Sequence, residues 1–468
     1  MSHPFDVVFD HTYDALRELR AVLPGQVALP GDDGWNETRL GWTRSVDQRP
    51  LAVVTARNED DVVAAVSWAR RHGLSVSTQP YGHGATTAVG GVVVLRTGAL
   101  QRLEVDPVEC TATVGAGVQW SALGVAAGAV GLSGLVGSSG EPSVVGYTLG
   151  GGMSWFGRRY GLAAHHVLSF DVVDSSGVRR QVTADSDPNL FWALRGGGGE
   201  FAVVLSMRMA LHPVPHLSGG RMMWPAEMAL PVLHAFRELT QAAPPELTAW
   251  AQLVQMPPVP EVPEAWRGRS FVTVNLAFVG VGEELAPLLQ RLNALPDRWA
   301  DTVGDVAVAD IAGIANDPRT PTASTEDSWL LADLDDHALE TVVALAGPRS
   351  GSRLVMMQLR HLGAGFKQAT TADGPQGAIT EPYQLFCMAV TPTAEGVVAA
   401  RAELDVVAAA MTTHRTGRRA FNFISSAEPD PTSAFSTEVL QRLRAVKNTN
   451  DPGRVFTGNR PYQSTPVA

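Results

Sequence analysis

Cysteine is nearly absent: the 468-residue chain has two, Cys110 and Cys387, far apart in sequence. No disulfide framework is expected, each thiol is expected to be free and buried, and a reducing compartment suits the chain. Cations are in deficit, with 36 Lys and Arg against 47 Asp and Glu and a formal net charge of −11. Nucleic acid and anionic membrane surfaces reward clustered cations, so neither is expected as a partner, and a small molecule is. No stretch reaches the roughly eighteen uninterrupted apolar residues of a membrane span. The start, Met1-Ser2-His3-Pro4-Phe5-Asp6, lacks a basic segment leading into an apolar core, and Asp10 and Asp14 follow soon after. No signal peptide and a cytoplasmic location are expected. A nicotinamide-type dinucleotide site is also missing its signature, because Gly115-Ala116-Gly117-Val118-Gln119-Trp120 lacks the third glycine.

What is present begins with length: one hydrophobic core seldom supports so long a chain, so two domains are expected. Leu51 to Val54 reads as a strand, Asn58 as a helix N-cap, and Val62, Val66 and Ala69 as the apolar stripe of a helix ending near Gly73. Ser75 to Gln79, Val92 to Leu95 and Thr111 to Val114 read as strands, Trp120 to Ala127 as a helix, and Val167 to Thr183 as a hairpin. Glycine thins out after Pro215, and Pro257-Pro258-Val259-Pro260 is the richest proline stretch, which places a boundary near residue 216. Up to about 415, helix-like Leu230 to Thr240 mixes with strand-like Val272 to Phe278, Leu354 to His361 and Gln384 to Val390. That mixture predicts an α+β domain with an antiparallel sheet. Phe435 to Lys447 reads as a helix, and Asp451-Pro452-Gly453 as a turn.

Three glycine clusters stand out: Tyr81-Gly82-His83-Gly84, the run from Gly137-Ser138-Ser139 to Gly150-Gly151-Gly152, and Gly196 to Gly199. A histidine between glycines can approach a planar ligand closely, and glycine-rich backbone can wrap phosphates with its N–H groups. His83 falls at the end of a strand, where α/β folds commonly place ligands. The runs are interleaved with apolar Val144, Val145 and Leu149, unlike a surface turn. One long ligand touching all three clusters is expected.

These segments resemble the berberine-bridge-enzyme-like group of FAD-linked oxidases, with a flavin domain of the vanillyl-alcohol-oxidase or PCMH type, and actinobacterial members of that group. The resemblance is carried by Tyr81 to Ala85, Gly146 to Gly152, Tyr160 to Ala164, Asn189 to Gly199, and Asp451-Pro452 with Asn459, in family order. It implies an α+β, two-domain flavoprotein whose FAD-binding domain is formed by both chain ends. Residues 1–215 would be its first part, 216–415 a substrate domain with an antiparallel sheet covered by helices, and 416–468 a returning segment. FAD contacts are then expected from Pro80, Tyr81, Gly82, His83, Gly84 and Ala85 in the first loop. The second run would contribute Gly137, Ser138, Ser139, Pro142, Gly146, Tyr147, Gly150 and Gly151, and the remainder Glu200, Val203, Asn459 and Tyr462. The family's histidine at His83 is joined to the flavin 8α-methyl group. Ser139 stands where doubly linked members have cysteine, so a single covalent bond through His83 is expected.

Departures from the pattern bear on chemistry. Pro142 occupies the position that governs oxygen's approach, Tyr147 replaces a common histidine, and Glu200 replaces asparagine. Arg419-Ala420-Phe421-Asn422-Phe423 stands where many members carry a catalytic tyrosine, and phenylalanine has no proton to exchange. His165-His166 replaces Asp-Asn; with no third ligand nearby, a structural role is expected over a metal. Tyr383 is a possible proton acceptor, and Tyr147 a residue near the flavin. Gln358 and Arg360 share one face of their strand and His361 the other, and which set faces the ligand is open. The reading is an FAD-dependent oxidase removing hydride from a small organic substrate, an alcohol, amine or ring intermediate of secondary metabolism, with O2 as acceptor. The alternatives are a dehydrogenase with another acceptor and a flavin-scaffolded non-redox cyclase. A monomer or homodimer is expected.

Overall fold

Asn58 opens a helix for a local reason: its side chain accepts a hydrogen bond from the Asp61 N–H at 3.0 Å, satisfying a donor that the helix itself cannot. The computed structural model describes residues 4–462 except 259, 261, 263, 428 and 429, so the expectations for residues 1–3 and 259 fall outside the described residues. Helix α1 (Pro4–Val22) precedes a four-stranded sheet of β1 (Val27–Ala28), β2 (Ala52–Thr55), β3 (Val76–Thr78) and β4 (Val93–Arg96), in the order β1-β2-β4-β3. Helix α2 (Glu59–His72) follows Asn58 and ends at Gly73, where φ of +64° is available to glycine without a Cβ penalty. It buries Val62, Val66, Trp68 and Ala69 against that sheet.

A second sheet contains β5 (Leu103–Asp106), β6 (Thr111–Gly115), β7 (Val167–Val173), β8 (Arg179–Val182) and β9 (Val203–Ala210), ordered β5-β6-β9-β7-β8. Cys110 occupies the tight turn between β5 and β6 at φ +49° and is half-buried, not buried as expected, because the turn holds it at the surface. Cys387 is buried. Short helices α3 (Val144–Leu149) and α4 (Pro188–Leu194) pack under the glycine runs.

A third sheet orders β10 (Ser218–Pro225), β11 (Leu247–Gln255), β12 (Ser270–Phe278), β13 (Ser324–Leu331), β14 (Met356–His361) and β15 (Tyr383–Val390) as β10-β12-β11-β14-β15-β13, all antiparallel. Period-two alternation divides its residues cleanly. Ala249, Ala251, Val272, Val274, Leu359 and Leu385 face α5 (Ala229–Ala242), α6 (Asp336–Ala346) and α7 (Ala394–Ala410). Phe236 of α5 is fully buried there, a contribution of about 1.5–3 kcal/mol. The other face is polar and points back toward the first two sheets, where Trp250 stacks on Trp155 with ring centroids 3.5 Å apart.

The chain then returns. Helix α8 (Thr437–Asn450) packs Leu443 and Val446 into the core built around β6 and β9, and Val455 and Phe456 join the core of the first sheet. The Val76 N–H donates to the Val455 carbonyl at 2.7 Å, and Thr457 N–H to the Val76 carbonyl at 2.9 Å. Among the described residues, no helix is long and apolar enough to cross a membrane.

Candidate active site

The three glycine clusters meet as walls of one cleft, with a cavity volume of about 320 Å³. That is the scale of pockets that hold organic ligands. The first wall is the loop after β3. Gly82 adopts φ +78° and passes so close to Gly41 that a Cβ would lie 2.6 Å from its Cα, so only glycine fits there. The Tyr81 hydroxyl donates to the Gly117 carbonyl at 2.7 Å, and Trp42 stacks on the His83 ring at 4.2 Å. His83 is left with a buried Nε2 that has no hydrogen-bond partner among the described residues. Burial pushes its pKa down to about 4, so the imidazole is neutral at physiological pH and keeps a free lone pair.

The second wall runs from Gly137 through α3. Ser143 caps α3, accepting from the Gly146 N–H at 3.0 Å. Tyr147 packs against Gly137, and its buried hydroxyl also lacks a partner among the described residues. Burial raises the Tyr147 pKa, while Arg360 opposes the shift. The third wall, Gly197 to Glu200, is tied to the terminal segment. Buried Glu200 offers Oε1 to the Tyr462 N–H at 3.4 Å, and burial raises its pKa against the pull of Lys447. Asn459 lines the cleft with its side-chain oxygen fixed by the Gln79 amide at 2.7 Å.

Pro80, Tyr81, Gly82, His83 and Gly84 line this cleft, as do Gly137, Ser138, Ser139, Pro142, Gly146, Tyr147, Gly150, Glu200 and Asn459. Four expected contacts do not. Ala85 turns inward toward Gly41, and Gly151 faces the Gln376 amide. Val203 points into the core beneath α2 because β9 alternates, and Val204 lines the cleft in its place. Tyr462 packs among Phe421 and Phe435, with its hydroxyl donating to the Gly197 carbonyl. Tyr383 is corrected as well: it lies on the helix-covered face of the third sheet, bonded to the Thr240 hydroxyl at 2.7 Å. His361 shares that side, and its Nε2 accepts from Arg158 at 2.8 Å. His166 contacts the Tyr160 carbonyl at 2.8 Å and His212 stacks on Tyr160, a structural use of His166, while the buried His165 Nε2 has no partner among the described residues.

Gln358 and Arg360 occupy the polar face. Arg221, Asn275, Trp250, Arg360 and Gln384 form one cross-strand row on it. Several residues here carry no recognisable motif. Asn422 clamps the end of α3, donating to the Tyr147 carbonyl at 3.1 Å and accepting from Gly152 N–H at 2.9 Å. Gln376 joins two glycine runs through the Gly150 and Gly196 carbonyls at 2.8 and 3.1 Å. Two half-buried carboxylates, Asp317 and Glu326, have pKa values raised by burial, opposed at Asp317 by the Ser138 hydroxyl, Arg360 and Arg221 and at Glu326 by Arg460. No spacing rule marks either acid, since each arrives from an unpatterned stretch.

The composition of the cleft fits FAD. Unpartnered His83 Nε2, the glycine backbone of Gly84 and Gly199 in the wall, and apolar Val145, Leu149 and Phe423 suit a flavin ring with a phosphate-bearing tail. Comparisons with known proteins agree. Residues 50–183 match the FAD binding domain family. The chain is 35% identical over 205 residues to the FAD-linked oxidoreductase hasG of Aspergillus fumigatus, covering 42% of this chain and 44% of that one. It is 30% identical over 196 residues to (R)-6-hydroxynicotine oxidase of Paenarthrobacter nicotinovorans, covering 41% and 43%. The match thus spans less than half the length of these curated relatives. Among solved structures, Physcomitrella patens BBE-like 1 superposes with a TM-score of 0.83 at 19% identity, over 96% of this chain and 99% of that one. Berberine bridge enzyme from Eschscholzia californica gives 0.78 at 16% identity, over 97% and 99%. The chain therefore carries an FAD binding domain within residues 50–183 and has, over nearly all its length, the fold of berberine bridge enzyme-like proteins.

Proposed function

We propose that this chain is an FAD-dependent oxidoreductase, an oxidase that removes hydride from a small organic molecule and passes the electrons to O2. The observation that carries the reading is the neutral, unpartnered His83 imidazole in a cleft walled by three glycine runs. FAD would supply the hydride acceptor, N5 of its ring. The proposed division of labour gives the cofactor to residues 1–215 and 416–468, and the substrate to 216–415. Shared hydrophobic cores support it, since α8 and Tyr462 pack with β6 and β9 while the helices of the third sheet form a separate core.

The chain's own groups have distinct tasks in this reading. Pro80 to Gly84, Ser138, Ser139, Gly146, Gly150, Glu200 and Asn459 would hold FAD, with one covalent bond through His83 and none through Ser139. Trp42 stacking and the Tyr81 hydrogen bonds orient the imidazole, and Arg360, Gln358 and Tyr147 face the substrate. A phenol whose pKa is raised by burial donates a hydrogen bond better than it accepts a proton, so Tyr147 positions the substrate rather than taking its proton. A dehydrogenase using another acceptor is the second reading, favoured by Pro142 lining the cleft.

Anaerobic mixing of the FAD-loaded protein with alcohols, amines and ring compounds is expected to bleach the flavin with at least one class. Readmitted air should then restore the colour within the turnover time. Slow recovery after fast bleaching would instead identify a dehydrogenase, and a panel that never bleaches the flavin while product forms would establish non-redox chemistry.

A further inference from the structure

Arg158 and Arg221 are saturated by protein acceptors. Arg158 bonds the Leu247 carbonyl at 2.7 Å, the Ala243 and Pro244 carbonyls, the Leu362 carbonyl and His361. Arg221 reaches Asn275 at 2.8 Å and the carbonyls of Ile314 and Ala315. Arg360 differs from both. It is 4% exposed, yet Nε donates to Gln358 Oε1 and neither terminal nitrogen has a partner among the described residues. No described carboxylate pairs with it directly; Asp317 and Tyr147 act on it only across space. Its guanidinium is held among aromatic faces, 4.3 Å from the Trp250 ring centre, 4.7 Å from Phe423 and 5.7 Å from Phe386.

Aromatic faces recover part of the hydration that a buried cation loses, but they accept no in-plane hydrogen bond. Burying a charge without its counter-ion costs several kcal/mol, so a preorganised and unfilled guanidinium fork is a poor device for stability alone. It is a good device for recognition: two parallel N–H groups match the two coplanar oxygens of a carboxylate. Phe423, against which the fork is stacked, lines the cleft, and Tyr147 lines it from the other side. Gln358 fixes the rotation of the fork by accepting from its Nε.

Resting on the oxidoreductase reading above, we infer that Arg360 clamps a carboxylate of the substrate, a small conjugated or aromatic acid whose planar body lies against Phe423 in the cleft. Arg360 is thus the specificity-determining residue of the substrate face. Neutral analogues leave the fork unpaired and are disfavoured for that reason.

The test uses the FAD-loaded full chain, with benzoate as probe and benzamide as its neutral counterpart, read by calorimetry and by flavin difference spectra. Benzoate is expected to bind at least roughly tenfold more tightly than benzamide, and Arg360→Gln to lose at least roughly thirtyfold in benzoate affinity with an unchanged ligand-free flavin spectrum. Arg360→Lys should recover only part of that loss, since an ammonium lacks the fork. Equal binding of benzoate and benzamide by the unaltered protein would overturn the inference, as would a folded Arg360→Gln protein that binds benzoate normally. A changed ligand-free flavin spectrum with benzoate affinity intact would assign Arg360 to the cofactor, and overturn it too. Failure of the chain to take up FAD would count against the oxidoreductase reading instead, and benzoate calorimetry on the same chain would still test Arg360.

Discussion

Lowering the pH from 7.5 to 5 is expected to remove about 4–6 kcal/mol of folding stability through three histidines alone. Burial holds His165 and His212 at about 4, and burial with the adjoining Arg158 holds His361 at about 2. A folded pKa below the unfolded value of about 6.5 means that the native state binds fewer protons than the unfolded chain. Stability is therefore complete above pH 6.5 and is lost as pH falls toward 4, by up to about 1.4 kcal/mol per pH unit for each histidine. At pH 5 each contributes a loss of up to about 2 kcal/mol, slightly less for the part-exposed His212. Glu200, Asp317 and Glu326 work in the opposite sense, because burial raises their pKa values and acidification relieves the penalty. Against a typical total stability of about 5–15 kcal/mol, the histidine loss is large enough to bring unfolding close to pH 5.

His361 provides the internal control. Its Nε2 accepts from the Arg158 guanidinium, which forbids a proton at that atom. His361→Gln keeps an acceptor and removes the titration. Urea unfolding at fixed FAD between pH 7.5 and 5 should then show a slope shallower by about one proton. A stability that stays flat across this range, or a His361→Gln slope equal to that of the unaltered protein, would contradict the assignment.

Lys447→Met is expected to cost about 3–5 kcal/mol of folding stability. The Lys447 ammonium is buried and bonds Asp451 Oδ2 at 2.7 Å and the carbonyls of Glu200 and Phe456 at 2.6 and 2.7 Å. Asp451 is wholly buried and also accepts from the N–H groups of Val455 and Phe456 at 2.8 and 2.9 Å. One cation thus ties α8 to the third wall of the cleft and to the segment that pairs with β3. Methionine fills the volume but leaves the carboxylate without its counter-ion. Adding Asp451→Asn should restore part of the loss, since the amide oxygen still accepts and the unpaired charge is gone. Thermal and urea unfolding of the single and double variants checks this; a double variant no more stable than Lys447→Met would show that geometry rather than charge is at stake.

The sequence disclosed the cleft better than the sheet opposite it. Gly82, Gly137, Gly146, Gly150 and Gly197 to Gly199 line the cleft within local motifs, because backbone approach and positive φ leave a compositional trace that neighbours preserve. Helix α2 was legible from Asn58 and Gly73 for the same reason. The substrate face depends on register, and register is set between strands distant in sequence. Alternation correctly separates Gln358 and Arg360 from His361, but only the packing of α5 to α7 decides which set is covered. Tyr383 falls on the covered side because its partner across β14 is His361. Val203 fails and Val204 takes its place by a shift of one residue, which in a strand reverses direction. Asp317 and Glu326 lie in stretches with no periodic signal, and their importance comes from burial beside cations, which is a tertiary property.

The most direct measurement is the fate of the yellow colour when the purified protein is denatured and precipitated with acid. The account predicts that the flavin stays in the pellet, that a proteolytic peptide containing His83 carries its mass, and that His83→Ala protein releases all of its colour. Colour that passes entirely into the supernatant from the unaltered protein, or a His83→Ala pellet that remains yellow, would contradict the assignment of His83 as the single point of attachment in this cleft.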